Sequence, residues 1–366
     1  MKPTETLHRS GQSLWIDNIT RGLLTSGMLA SYIRELSVTG LTSNPTIFDH
    51  AIKNGTAYDE AIRARLADGF SGEQLFFELA LEDLTGAADL FREVHERTSG
   101  VDGWVSLEVS PLLARDASTT LIEAIDLHAR AARPNLYIKI PGTPEGLAAI
   151  EAAIFAGVPV NVTLLFSPAQ YLAAAEAYLR GIERRIDAGL NPNVASVASV
   201  FISRWDVAVA SKVPACLGNR LGIAMGCAAY RAYLKSLSSA RWRRACNAGA
   251  RPQRLLFAST GTKDPNAADI LYVKGLNAPF TINTVPEETL KAFADHGELD
   301  SDWSADGTAP AGVLREFGQA GIDLDALAGR LQDDGAAAFV ASWNDLLSVI
   351  ARKSAALQAR TGRAAS

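Results

Sequence analysis

The chain reads as an α/β protein, a (β/α)8 barrel with extra C-terminal helices. Three observations predict this. Eight short β-like runs alternate with helical patterns along the 366 residues. No GxGxxG or Walker pattern opens any helix, so the nucleotide-binding doubly wound folds lack their main signature. No stretch rich in Gly, Pro or Ser divides the chain, so residues 1–366 are expected as one domain, with the barrel at about 14–297 and the helical extension at about 308–360.

In chain order, the strands are expected at LWIDN (14–18), VTGLTS (38–43), WVSLEVS (104–110) and LYIKIP (136–141), followed by VPVNVTLLF (158–166), VASVASVFIS (194–203), RLLFAST (254–260) and FTINTV (280–285). MLASYIREL follows the first strand, and the long pattern around EQLFFELALEDLTGAADLFREVHER follows the second. ASTTLIEAIDLHARAA follows the third, with Ser118 as its expected cap. TPEGLAAIEAAIFA follows the fourth: Thr143 caps it and Pro144 suits its first turn. SPAQYLAAAEAYLRGIERRIDA follows the fifth with a Ser-Pro start, and a long helical region over about 207–248 follows the sixth. The segment 296–312 reads as a loop leading to the closing helices.

Composition narrows the function. At 48% hydrophobic and 20% charged, with a net charge of -5 and both signs mixed, the chain shows no footprint of a nucleic-acid groove or a membrane surface. Arg241, Arg243 and Arg244 read as the solvated face of a helix. Three cysteines without a CxxC pattern fit a reducing compartment, and MKPTETLHRSGQ has no apolar core of a secretory signal, so a cytoplasmic protein is expected. Five scattered histidines, with no HExxH, argue against a metal site, and with no cofactor-binding loop opening a helix no cofactor is expected.

Strand alternation carries the chemistry. Barrel strands bury an outer face under helices and turn the other inward. Val105, Leu107 and Val109 oppose Trp104, Ser106, Glu108 and Ser110; Val160, Val162 and Leu164 oppose Asn161 and Thr163; Leu14 and Ile16 oppose Trp15 and Asp17. The apolar sets suit the helix layer. The inward polar set is then Asp17, Asn44, Glu108, Lys139, Asn161, Thr163 and Ser199, clustered at the carboxyl ends of the strands, where barrel enzymes keep their chemistry. A lysine crowded by apolar walls loses its charge more readily, and a neutral amine attacks a carbonyl to form a Schiff base. Taken singly, the same residues also fit structural roles. Lys139 could pair with Glu108 or Asp17, Asn44 could cap a helix at Pro45, Thr163 could satisfy a carbonyl, and Arg204 could pair with Asp206.

With these residues in view, the chain resembles transaldolase of the longer bacterial type. The resemblance rests on TGLTSNPTIF (39–48), LYIKIPGTPEGLAAI (136–150), VPVNVTLLFS (158–167), SVFISRWD (199–206) and LFASTGTKDP (256–265), in order from about Leu14 to about Gly297. It implies a Schiff-base barrel enzyme of the pentose phosphate pathway that acts on small sugar phosphates. Such an enzyme moves a dihydroxyacetone unit from sedoheptulose 7-phosphate to glyceraldehyde 3-phosphate, giving erythrose 4-phosphate and fructose 6-phosphate. By resemblance, Lys139 is the Schiff-base lysine and Asp17 the acid/base for C3–C4 cleavage. Glu108 works through water at the carbinolamine, and Thr163 positions that water. Asn44 and Asn161 hold the dihydroxyacetone hydroxyls, while Ser199 and Arg204 bind phosphate. Where shorter relatives place a second phosphate arginine, this chain has STGTKDP, so Lys263 is expected there as a point charge. The enamine left after cleavage must be kept from solvent, and a barrel mouth covered by a C-terminal helix would provide that dryness. Two other readings stand beside the resemblance: a Schiff-base lyase releasing free dihydroxyacetone, whose relatives carry glutamine at the place of Glu108, and a non-catalytic sugar-phosphate-binding barrel.

Overall fold

The computed structural model describes residues 1–299 and 308–364. Its eight described strands are β1 (Ser13–Asp17), β2 (Val38–Thr42), β3 (Trp104–Glu108), β4 (Leu136–Pro141), β5 (Val160–Leu165), β6 (Ser196–Phe201), β7 (Arg254–Ala258) and β8 (Ile282–Val285). Each pairs in parallel with the next, and β8 pairs with β1, closing a barrel in sequence order. All eight expected strands are present, and the fold is the expected (β/α)8 barrel with C-terminal helices.

The outer faces bury Leu14, Ile16, Val105, Leu107, Ile138, Ile140, Val160 and Val162 in the core beneath the helix layer. Helix starts follow local chemistry. Thr143 accepts the Gly146 N–H at 3.1 Å, and Ser167 forms a reciprocal capping box with Gln170. The third crossover differs from expectation: Asp116, not Ser118, caps Ala117–Ala131, because one carboxylate oxygen accepts the N–H groups of both Ser118 and Thr119. The expected helical region over about 207–248 is present as separate helices. Pro214 and Gly218 flank a short 3-10 turn between Ser203–Val209 and Leu221–Leu237, and a further helix spans Ala240–Asn247. Arg241 is no free surface charge, since it ties that last helix to Glu176 and Glu183 of Pro168–Asp187.

Two apolar features shape the interior. Trp15 and Trp104 turn inward, as alternation requires of residues sharing a face with Asp17 and Glu108. Trp15 lies 6.3 Å from Tyr137, ring centre to ring centre, and Trp104 stacks on Tyr137 at 4.1 Å. β1 and β4 are not neighbours, so Trp15 and Tyr137 can meet only through the interior, where the rings floor the barrel at the strands' amino ends. Gly40 lies under the Trp15 indole, which a Cβ there would strike. Leu164, by contrast, breaks the alternation. The β5–β6 register slips between Val162 and Leu165, Leu164 takes φ +58°, and its side chain joins the inner apolar cluster instead of the helix layer.

Of the expected loop over 296–312, residues 300–307 lie outside the described residues, His296 ends the helix Glu287–His296, and 308–312 are helical. The helix Thr308–Gln319 packs on Leu221–Leu237, and the 41-residue helix Leu324–Ala364 crosses the carboxyl-end mouth of the barrel, packing on Pro45–Lys53. A helix not anticipated from sequence, Pro3–Arg9, packs near β1 and Glu287–His296.

Candidate active site

At the mouth lies a cavity of about 620 Å³ lined by Asp17, Asn44, Lys139, Thr163, Ser199, Arg204 and Lys263, seven of the nine residues singled out above. Glu108 and Asn161 lie just behind it, next to Lys139 across the β3–β4 and β4–β5 ladders.

Lys139 is 5% exposed, so its amine must be satisfied internally. Its Nζ donates to Glu108 Oε2 at 3.0 Å and to the Ser43 carbonyl at 3.1 Å, and sits 5.5 Å from the centre of the Phe339 ring. Among the described residues Glu108 Oε1 has no hydrogen-bond partner, and Glu108 lines a small cavity of about 10 Å³, close to the space of one water molecule. The buried Thr163 hydroxyl also has no hydrogen-bond partner among them. Burial pushes the Glu108 carboxyl above the usual carboxylate range; the Lys139 ammonium opposes that and the Asp17 charge adds to it.

Asp17 is held from the side. The Thr42 hydroxyl donates to its Oδ1 at 2.8 Å and lies 2.7 Å from the Thr284 hydroxyl. Burial raises the Asp17 pKa as well, against the pull of Lys139, the Thr42 hydrogen bond and the more distant Lys263. The site therefore brings two buried carboxyls and one amine together.

Asn44 does two things at once. Its Oδ1 accepts the Ile47 N–H at 3.1 Å as the cap of Pro45–Lys53, and the residue lines the cavity. Asn161 is fully buried: its Nδ2 donates to Ser106 Oγ at 3.0 Å and its Oδ1 accepts from Ser199 Oγ at 2.7 Å. One amide hydrogen of Asn161 stays uncommitted. Arg204 does not pair with Asp206, whose carboxylate instead accepts from the Leu221 and Gly222 amides and the Tyr272 hydroxyl. Among the described residues Arg204 has no ion-pair partner, and its guanidinium stands 5.2 Å from the centre of the Phe201 ring. Lys263 is exposed at the rim. No group of three or more His, Cys, Asp or Glu residues among those described could hold a metal ion, and no described helix is long and apolar enough to cross a membrane.

Sequence reasoning missed several contributors. Thr42, Thr284, Ser259 and Phe201 line the cavity, as does Phe339 from the C-terminal helix. Thr42 and Phe201 were within reach, as they share strand faces with Gly40 and Ser199; Phe339 carried no local signal.

The profile of the Transaldolase/Fructose-6-phosphate aldolase family matches residues 14–350, from the first strand into the helix over the mouth. The chain belongs to this family. A transaldolase of Thermobifida fusca (strain YX) is 44% identical over 363 residues, covering 97% of this chain and 99% of the relative. A transaldolase of Thiobacillus denitrificans (strain ATCC 25259 / T1) is 42% identical over 358 residues, covering 96% and 100%. One from Parafrankia sp. (strain EAN1pec) is also 42% identical, covering 95% and 97%. With such relatives along nearly its whole length, the chain is a transaldolase-family enzyme.

Proposed function

We propose that the protein is a transaldolase that moves a dihydroxyacetone unit from sedoheptulose 7-phosphate to glyceraldehyde 3-phosphate, in the cytoplasm and within the pentose phosphate pathway. The observation that carries this reading is the Lys139 amine, 3.0 Å from Glu108 on the wall of a cavity that Asp17 and Arg204 also line. Neutral Lys139 attacks the ketose carbonyl. Glu108, through a water held with Thr163, shuttles the protons as the carbinolamine loses water to the imine. Asp17 then takes the proton of the C4 hydroxyl while the C3–C4 bond breaks, and the bonding electrons pass into the iminium to leave an enamine on Lys139. Addition of the acceptor aldehyde reverses these steps. Burial raises the affinity of both carboxyls for protons, which suits groups that must both give and take one.

Asn44 and the uncommitted amide hydrogen of Asn161 hold the hydroxyls of the three-carbon unit. Ser199 and Arg204 hold the phosphate, with Lys263 as a second cation at the rim. Transfer is preferred to simple aldol release as the reading because this chain carries Glu108 where lyase relatives carry glutamine.

The test is trapping. Fructose 6-phosphate with borohydride should inactivate the protein irreversibly, and peptide mass mapping should find the reduced three-carbon adduct on Lys139. An adduct on Lys263 or Lys274 instead would sink the assignment. Turnover of fructose 6-phosphate without an acceptor would favour the lyase.

A further inference from the structure

The helix Leu324–Ala364 turns one face toward the site. Gln332, Gly335 and Phe339 fall on that face, at helical spacings of three, four and seven residues. Each meets a different part of the machinery. Gln332 Nε2 donates to the Gly142 carbonyl at 3.0 Å and to the Leu164 carbonyl at 2.9 Å. Gly142 follows β4, the strand of Lys139, and Leu164 follows Thr163 on β5. A Cβ on Gly335 would come within 2.9 Å of Leu164 Cδ2 and 3.2 Å of an Arg204 guanidinium nitrogen, so the absence of a side chain lets the helix lie close. Two turns beyond Gln332, Phe339 stands over the Lys139 amine.

The chemistry of the clasp is specific. The ends of two adjacent strands present carbonyl oxygens with no ladder left to join, and one of them belongs to a residue held at φ +58°. A primary carboxamide carries two hydrogens on one nitrogen and can serve both acceptors at once. A leucine of similar size serves neither, and a carboxylate repels both. We propose that Gln332 is a positioning residue whose paired hydrogen bonds hold Phe339 over Lys139, and so decide the fate of the intermediate. This rests on the Schiff-base function above. If water protonates the nucleophilic carbon of the enamine and then adds to the imine carbon, the amine is freed and dihydroxyacetone is released. If an acceptor aldehyde arrives first, a carbon–carbon bond forms and the aldehyde oxygen takes the proton. A ring fixed above the amine favours the second course by excluding water.

The test uses the full chain with Gln332→Leu, and with Phe339→Leu as a second variant that leaves the clasp intact. Two quantities are read: dihydroxyacetone released per transfer event from fructose 6-phosphate, and the rate of reductive methylation of Lys139 by formaldehyde and cyanoborohydride without substrate, followed on its peptide by mass. Loss of two buried hydrogen bonds should raise both roughly tenfold in Gln332→Leu, and Phe339→Leu should raise both as well. A release ratio unchanged in folded, active variants overturns the proposal alone, whatever the methylation rate. A wild-type protein that gives no adduct on Lys139 with fructose 6-phosphate and borohydride overturns it together with the function it rests on.

Discussion

Removing the Arg204 guanidinium separates phosphate recognition from scaffolding. The side chain begins the turn after β6, leans on the Phe201 ring and has no carboxylate partner among the described residues. Burial holds its pKa below the usual arginine value, as expected of a cation drawn from water and waiting for an anion. Asp206, two residues on, is fully engaged elsewhere, so Arg204→Ala strands no buried negative charge. The stability cost is then confined to a ring contact worth about 0.5–1 kcal/mol, partly offset by relief of the desolvated cation. The catalytic cost is larger. A charged hydrogen bond to phosphate is worth about 1.5–3 kcal/mol, or roughly 10- to 150-fold in kcat/KM. The assay compares fructose 6-phosphate with unphosphorylated fructose as donor, beside thermal melts. Phosphorylated donors should lose that factor, fructose should lose little, and the melting point should hold nearly constant. Equal losses on both donors with an earlier melt would refute the reasoning and make the residue a brace.

Glu108→Gln should slow imine formation and hydrolysis more than carbon–carbon cleavage, since Gln cannot relay protons through water; rapid-mixing traces with normal imine formation would refute this. Glu123, on the helix Ala117–Ala131, accepts the Ser110 N–H at 3.0 Å just beyond Glu108, and burial pushes its carboxyl from the usual 4.5 up to about 7. Because the folded form holds the proton more tightly, this carboxyl costs stability increasingly as pH rises from 4.5 to 7. Glu123→Gln should therefore gain stability over wild type across that window, up to about 3 kcal/mol at 1.36 kcal/mol per pH unit; urea melts at pH 4 and pH 8 showing one constant difference would contradict it. Gly40→Ala drives a methyl into the Trp15 indole and should cost about 1–3 kcal/mol in urea unfolding; an unchanged midpoint would mean the floor is not packed as described.

Periodicity made the barrel legible because β1, β3, β4 and β5 carry apolar outer faces, and a strand's period of two fixes which residues turn inward. Lys139, Glu108 and Asp17 could be placed in one interior on that basis alone. Alternation fails where the backbone slips, so the bulge that turns Leu164 inward had no signature in VNVTLL. It also says nothing of rings, so Trp15 and Trp104 went unread as a floor. At the third crossover Asp116, Ser118 and Thr119 are all competent caps, and only geometry shows that the carboxylate serves two amides. Gln332 was the hardest to see, because its partners lie 190 and 168 residues away and no local pattern links them.

The aromatic floor has a kinetic consequence. With Trp15, Trp104 and Tyr137 stacked across the amino end, the barrel is a sack and not a tunnel. The donor's aldose fragment and the incoming acceptor must use one doorway, and both need the same space in front of Lys139. On the proposed reaction the first aldose has to leave before the second can enter, so the three-carbon unit waits alone on the lysine between visits. Initial rates measured against one substrate at several fixed levels of the other should then give parallel double-reciprocal lines.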